Sequence, residues 1–269
     1  MLAGVIGWPV EHSRSPAIHR AAATSTGVDL EYTRFPVAPG DAERAVAAMR
    51  PLGIRGLSVT MPHKEAVIPA CDELTEAATR LHAVNHLTNT DGHIVGNNTD
   101  GDGFVLGFEY VTGRTVMGKR VAVYGSGGAA RAIIDGCARN GATEVQVIAR
   151  SPERAEAAAR VAPGVALVAG PQAIEAADVI VNATPVGMAH TPNAGGVAQP
   201  VDGLGDNAVV VDIVYSPLET PMLKLARERG LMTVDGLSML AGQAAAQFYA
   251  WTGVEPPLDV LIEAAHADQ

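Results

Sequence analysis

Two charged residues close polar motifs that could handle a proton. Val59-Thr-Met-Pro-His-Lys64 sets a lysine just beyond an apolar run, and Asn97-Asn-Thr-Asp100 ends on a carboxylate. An ammonium can donate to a carbonyl oxygen that gains negative charge, while a carboxylate orients it. Taken alone, a lysine and an aspartate thirty-six positions apart read more simply as surface charges. The pair therefore needs support from elsewhere in the chain.

A second chemistry is written in Val121-Ala-Val-Tyr-Gly125-Ser126-Gly127-Gly128-Ala129-Ala130-Arg131. A short apolar run enters a glycine turn with G-x-G-x-x-A spacing, and a helix-forming run follows at once. Gly125 permits the tight turn, Gly127 lets a pyrophosphate approach the backbone, and Ala130 keeps helix and strand close. The N–H groups and positive dipole end of that helix suit phosphates. With 29 glycines in the chain, chance alone gives about three G-x-G triplets. Gly101-Asp-Gly103 and Gly203-Leu-Gly205 follow no apolar strand, so context selects Gly125. The implied ligand is a dinucleotide, against the plainer reading of a glycine-rich turn.

Which dinucleotide is set by the end of the next strand, Val147-Ile-Ala149-Arg150-Ser151-Pro-Glu-Arg154. An NAD site usually places Asp or Glu there for the ribose 2′-hydroxyl. Ala149 takes that place here, and Arg150 can pair bidentately with a 2′-phosphate while Ser151 adds a hydroxyl. Arg154 is either a second cation or the start of a solvated basic helix. The expected cofactor is NADP.

These residues need an α/β scaffold, and the rhythm of the chain supplies one. Leu2–Gly7, Glu31–Pro36 and Gly56–Thr60 read as strands. Residues 15–26 read as a helix with Ser15 as N-cap and Pro16 in the first turn. Runs at 83–88 and 93–96 flank Asn89-Thr-Asp-Gly92, a hairpin signal. From Arg120 a regular βαβ series begins, with strands expected at 120–124, 144–149, 165–168, 179–182 and 209–212. Residues 237–252 and 256–265 read as helices. We expect a substrate domain of mixed sheet over 1–104, with helices from 238–269 packing back onto it. A doubly wound Rossmann domain spans 105–237.

The net charge of −10 argues against nucleic acid and anionic membranes, which require a basic face. Cys71 and Cys137 follow no metal or redox spacing, and no metal site is expected. Met1–Val10 lacks the features of a signal peptide, and no apolar run reaches a membrane span of about 18 residues. A soluble cytoplasmic protein is expected, as a monomer or homodimer.

The chain resembles the shikimate dehydrogenase family over nearly its whole length. The matching stretches are Gly7-Trp-Pro-Val-Glu-His-Ser13-Arg-Ser15-Pro16 with His19, Val59–Lys64, Ala83-Val-Asn85, Asn98-Thr-Asp100 and Gly125–Ala129. Asn182-Ala-Thr-Pro-Val-Gly-Met188, Asp212-Ile-Val-Tyr215-Ser-Pro217 and Gly236-Leu-Ser-Met-Leu-Ala-Gly-Gln243 complete the set, all in family order. Each alone is weak, and their joint order is the argument.

The resemblance implies NADPH-dependent reduction of 3-dehydroshikimate to shikimate in a crevice between two domains. It assigns Lys64 as the acid–base residue with Asp100 as its partner. Ser13 and Ser15 would bind the substrate carboxylate, and Thr60, Asn85, Asp100, Tyr215 and Gln243 the ring hydroxyls. Thr184, Met188, Ile213, Gly236 and Met239 would line the nicotinamide side, although the two methionines read equally well as core. The alternatives are a quinate or aminoshikimate dehydrogenase, and a non-catalytic NADP-binding relative. A methylene-tetrahydrofolate-type dehydrogenase shares the plan but not the Ser13-Arg-Ser15 motif.

Departures from the family pattern are Arg20 for asparagine, Ser58 for asparagine, and His82 and His86 where glycine and threonine are usual. His86 stands next to Asn85, a proposed ligand residue. With an unperturbed pKa of about 6.5, it would titrate beside the substrate or else serve as structure.

Overall fold

A computed structural model describes residues 1–189 and 191–267. The chain divides into two compact units: Met1–Thr99 with the stretch from Leu240 onward, and Asp100–Met239.

The first unit runs β1 (Leu2–Gly7), α1 (Ser15–Thr26), β2 (Glu31–Pro36), α2 (Ala42–Leu52) and β3 (Ile54–Val59). It continues with β4 (Glu73–Leu74), α3 (Glu76–Leu81), β5 (His86–Thr90) and β6 (His93–Asn97). The sheet order is β2-β1-β3-β5-β6-β4. β1 is parallel to β2 and β3, whereas β5 is antiparallel to β3 and to β6, so the sheet is mixed as expected. The β5–β6 hairpin closes on Asp91-Gly92 with φ of 54° and 89°, the paired positive angles of a primed two-residue turn. β5 begins at His86 rather than at Ala83, although the Asn85 amide and carbonyl still bond to Asn97 and Val59.

The second unit begins with α4 (Asp100–Thr112), β7 (Arg120–Tyr124), α5 (Gly128–Arg139), β8 (Glu144–Ile148) and α6 (Pro152–Ala159). β9 (Ala166–Val168), β10 (Val179–Asn182), β11 (Val209–Asp212), α7 (Pro221–Glu228) and β12 (Met232–Val234) follow. Its sheet is parallel throughout in the order β12-β11-β10-β7-β8-β9. Counted from β7, that is 3-2-1-4-5-6 read from the other edge, the doubly wound dinucleotide-binding topology. Buried on both faces, its central strands are near-continuous Val, Ile and Ala. α4 and α5 approach closely because Gly101 and Gly136 face each other; a Cβ on Gly136 would lie 2.6 Å from the Gly101 carbonyl oxygen.

α8 (Gly236–Thr252) leads back into the first unit, and α9 (Leu258–Ala267) is the last element among the described residues. The Arg14 guanidinium donates to the Ala265 carbonyl at 2.6 Å, tying α9 to the start of α1. The Trp251 indole lies over Gly56 of β3, where any side chain would collide with it, and donates to the Leu87 carbonyl of β5 at 3.0 Å. β4 and β12, with two and three residues, are too short to show as sequence patterns. No described helix is long and apolar enough to cross a membrane.

Candidate active site

In the first unit the proposed ligand residues stand at strand ends and on the first half of the returning α8. Thr60 follows β3, its amide bonded to the Ile6 carbonyl at 3.0 Å. Lys64 lies four residues on and is half-buried, and its carbonyl accepts from the Val84 amide at 2.8 Å. The buried His63 ring contacts the Val37 carbonyl at 2.7 Å and so anchors the segment that carries Lys64.

Ser13 and Ser15 stand at the entry to α1. Ser15 is the first residue of the helix rather than its N-cap, a place taken by Arg14 with no side-chain bond. The N-cap thus falls one residue before the expected serine, and the Ser13 hydroxyl accepts the Ser15 amide at 3.3 Å. Arg34 of β2 donates to the Ser13 carbonyl at 2.6 Å and 3.2 Å, which fixes the loop without occupying either hydroxyl.

Asn85 is the best-braced of the set. Its Oδ1 accepts the Thr99 amide at 2.8 Å, and its Nδ2 donates to Gln243 Oε1 at 3.0 Å and to Thr99 Oγ1 at 3.2 Å. The structure thus brings Asn85 and Gln243 together from opposite ends of the sequence. It adds Thr99, which the Asn98-Thr-Asp100 motif contains but which sequence reasoning left without a role. Asp100 opens α4 and is buried.

The same unit holds a cluster of packed rings. His19 stacks on Tyr32 with ring centroids 4.2 Å apart, and Trp251 lies 5.2 Å from His19 and 5.3 Å from His86. His86 is buried, its ring within 3.2 Å of the Thr88 hydroxyl, and it faces Ser58 across the β3–β5 ladder. Burial holds the His86 imidazole down to about 3. Burial, with His86 adding to it, does the same to His19. His86 is therefore neutral near pH 6.5, which favours the structural one of the two alternatives. Burial likewise pushes the Tyr32 phenol above its usual range, against hydrogen bonds with Ser58 and Ser15. His82 caps α3 in the left-handed region at φ 49°, which explains why glycine suits that position.

The second unit carries the nucleotide-binding features. Gly125 follows β7 at φ 123°, where a Cβ would lie 2.6 Å from the Ala183 carbonyl oxygen, so only glycine fits. Gly127 is the N-cap of α5, and a Cβ at Gly127 or Gly128 would meet nothing within 4 Å. The turn is therefore open to a phosphate rather than filled by protein, with Ser126 and Ala129 flanking it and the buried Ala130 packed behind. It lies where the strand order reverses, between β7 and β10.

Ala149 follows β8, and Arg150 is exposed. Ser151 is the N-cap of α6: its hydroxyl accepts the Arg154 amide at 3.3 Å and donates to Glu153 at 2.7 Å. That hydrogen bond holds the Glu153 carboxyl below its ordinary value. Arg150 and Arg154 make no ion pair among the described residues, so both cations are available to an anion.

Past β10 and β11 a buried network shapes the rest of this rim. Thr184 donates to Asn182 at 2.6 Å, Asn182 to Asp212 at 2.9 Å, and Thr220 to Asp212 at 2.7 Å. Burial raises the Asp212 carboxyl to about 6 despite these bonds. Met188 and Ile213 are half-buried, Met239 is buried, and Tyr215 is exposed in the loop after β11. Gly236 packs flush on the Ile213 backbone, leaving no room for a side chain. Asn182 and Asp212 sit inside the recognised motifs, yet their structural role was not legible there.

A doubly wound unit with an open glycine turn at its switch point, joined to a mixed-sheet unit bearing a lysine and braced amides, defines a class: two-domain NADP-dependent oxidoreductases. Residues 5–87 match the model for the shikimate dehydrogenase substrate binding domain, and residues 236–266 the shikimate 5′-dehydrogenase C-terminal domain. Residues 120–215 match an NADP oxidoreductase, coenzyme F420-dependent, domain. Shikimate dehydrogenase (NADP(+)) of Moorella thermoacetica is 41% identical over 97% of this chain and 90% of its own length. The chain belongs to the shikimate dehydrogenase family. The structure of shikimate 5-dehydrogenase from Thermus thermophilus, in complex with NADP(H) and shikimate, superposes with a TM-score of 0.89 at 33% identity, covering 100% of both chains. Quinate dehydrogenase from Corynebacterium glutamicum, in complex with NAD, gives 0.88 at 36% identity over 98% of each chain.

Proposed function

We propose that this chain catalyses the reversible, NADPH-dependent reduction of 3-dehydroshikimate to shikimate. The observation that carries this reading is the Asn85–Gln243 amide pair braced by Thr99. It is a set of neutral partners for a polyol, Asn85 and Thr99 buried and Gln243 half-buried, in a unit matched to the shikimate dehydrogenase substrate binding domain. A site built to hydrogen-bond hydroxyls discriminates strongly, because each unmet partner penalises a wrong ligand.

The open glycine turn and the two unpaired arginines fit NADP: Gly125–Ala129 would hold the pyrophosphate, with Arg150, Ser151 and Arg154 on the 2′-phosphate. When bound, the reduced cofactor supplies the hydride for the C3 carbonyl carbon. Lys64 then delivers the proton to the nascent alkoxide, and Asp100 orients it. Half-buried rather than sealed, Lys64 can regain its proton from solvent. Thr60, Asn85, Asp100, Tyr215 and Gln243 hold the ring hydroxyls. Ser13 and Ser15 receive the carboxylate through neutral donors. Thr184, Met188, Ile213, Gly236 and Met239 form the nicotinamide wall. We place the enzyme in the cytoplasm as a monomer or homodimer, on its acidic charge and its two cysteines without redox spacing.

The test is a turnover panel of shikimate, quinate and aminoshikimate, each with NADP and with NAD. Shikimate with NADP should give the highest kcat/KM. Quinate turnover equal to that of shikimate would overturn the substrate assignment.

A further inference from the structure

The amides that face the proposed substrate are held from behind by a residue outside every recognised motif. Gln247 lies on α8 one helical turn beyond Gln243 and is 3% exposed. Its Oε1 accepts from Ser58 Oγ at 2.5 Å, and its Nε2 donates to Thr99 Oγ1 at 3.2 Å. Ser58 in turn accepts from the Tyr32 hydroxyl at 2.7 Å.

The sense of this relay is fixed by counting hydrogens. Ser58 accepts from Tyr32, so its own hydrogen goes to Gln247. That turns the Gln247 carbonyl toward Ser58 and its amide nitrogen toward Thr99. Thr99 Oγ1 then accepts from both Gln247 and Asn85 Nδ2, and its single hydrogen goes to Asn85 Oδ1 at 3.3 Å. Asn85 Oδ1 accepts from the Thr99 amide, so Asn85 must direct Nδ2 at Gln243 Oε1. The end of the chain is Gln243, whose Nε2 remains a donor for a ligand oxygen.

We infer that Gln247 is a positioning residue: by donating to the Thr99 hydroxyl it adds to the Thr99 backbone amide in holding Asn85, and through Asn85 Gln243, in one orientation, so that the site presents donors to substrate hydroxyl oxygens. The inference rests on the reading of Asn85 and Gln243 as substrate ligands. It also gives Ser58 a place. The short hydroxyl standing where the family has asparagine is the acceptor–donor step that Gln247 requires, and Asn89, His86 and the other β5 side chains take no part in the relay. Without Gln247, Thr99 has a free lone pair, and the Asn85 amide loses one of the constraints against reversal. A buried partner left unpaired in this way weakens ligand binding rather than the chemical step.

The experiment measures shikimate oxidation by Gln247→Leu and Gln247→Met, alone and with Thr99→Val, together with the Kd for NADP. Each single variant should raise the shikimate KM by about 5- to 30-fold with kcat within about threefold, the scale of one lost buried hydrogen bond. The Kd for NADP should stay at the wild-type value, which shows that the variant is folded. In the Thr99→Val background the change at Gln247 should add less than about twofold, because the relay is already cut. Ser58→Ala breaks the same relay one bond earlier and should raise KM in the same direction, which keeps the test available if both Gln247 variants fold poorly. A wild-type KM in folded variants, or the full effect retained in the Thr99→Val background, overturns the inference alone. Absence of shikimate turnover by the wild-type protein would instead overturn the function on which it rests.

Discussion

Two imidazoles buried side by side make a definite statement about stability in acid. His19 and His86 titrate near 6.5 when unfolded and at about 3 when folded, because burial disfavours their charged forms. Between those values the unfolded chain binds more protons, so stability is full above pH 6.5 and is lost as pH falls toward 3. Going from pH 7 to pH 5 crosses about 1.5 units of that window, or about 2 kcal/mol per histidine. Asp212 opposes them. Its folded value of about 6 lies above its unfolded 3.8, so its contribution is lost as pH rises and about 1 kcal/mol returns at pH 5. The net expectation is a loss of about 3 kcal/mol between pH 7 and pH 5. His86→Thr removes one of the two imidazoles and should shrink that loss to about 1 kcal/mol, whatever the substitution does to stability at pH 7. Urea unfolding at both pH values, on wild type and variant, measures the difference. An identical pH dependence in the two proteins would show that His86 is not held neutral by burial.

Arg150→Ala should weaken NADP binding by about 1.5–3 kcal/mol and leave NAD binding nearly unchanged, since the lost contact is to a 2′-phosphate; titration with both cofactors checks it. Lys64→Ala should lower turnover by about 10²–10⁴-fold while the Kd for NADP holds, the range of a lost acid–base group. Near-normal turnover there would remove Lys64 from the reaction. His82→Gly should raise stability by about 1 kcal/mol, because it relieves a non-glycine residue of a left-handed cap at φ 49°; a thermal melt that moves down would contradict this.

Much of the scaffold was legible because its signals are local. The alternation and length of the apolar runs gave β1, β2, β7, β10 and β11 to the residue, and Asp91-Gly92 announced its own turn. The glycine turn was readable for the same reason: G-x-G-x-x-A after a buried strand is a contiguous pattern with one physical purpose. What stayed hidden was contact between distant segments. Thr99 carries an obvious motif, but only folding shows that it joins Asn85 to Gln247, 148 positions away. Ser58 and His86 stood out only as departures from the family pattern and Trp251 not at all, and the three become neighbours only when α8 returns over β3 and β5. The sequence left the two roles of His86 open for that reason, since a pKa depends on surroundings that no local pattern contains. Ser15 shows the limit at finer scale, because helix entry shifted the cap by one residue.

One reaction carries the assignment of this protein, and one incubation tests it. Purified protein is mixed with 3-dehydroshikimate and NADPH, cofactor oxidation is followed optically, and the product is identified by chromatography. One shikimate formed for each NADPH consumed, with NADH markedly poorer as donor, is the predicted result. Cofactor left unoxidised by a folded protein that binds it would contradict the assignment.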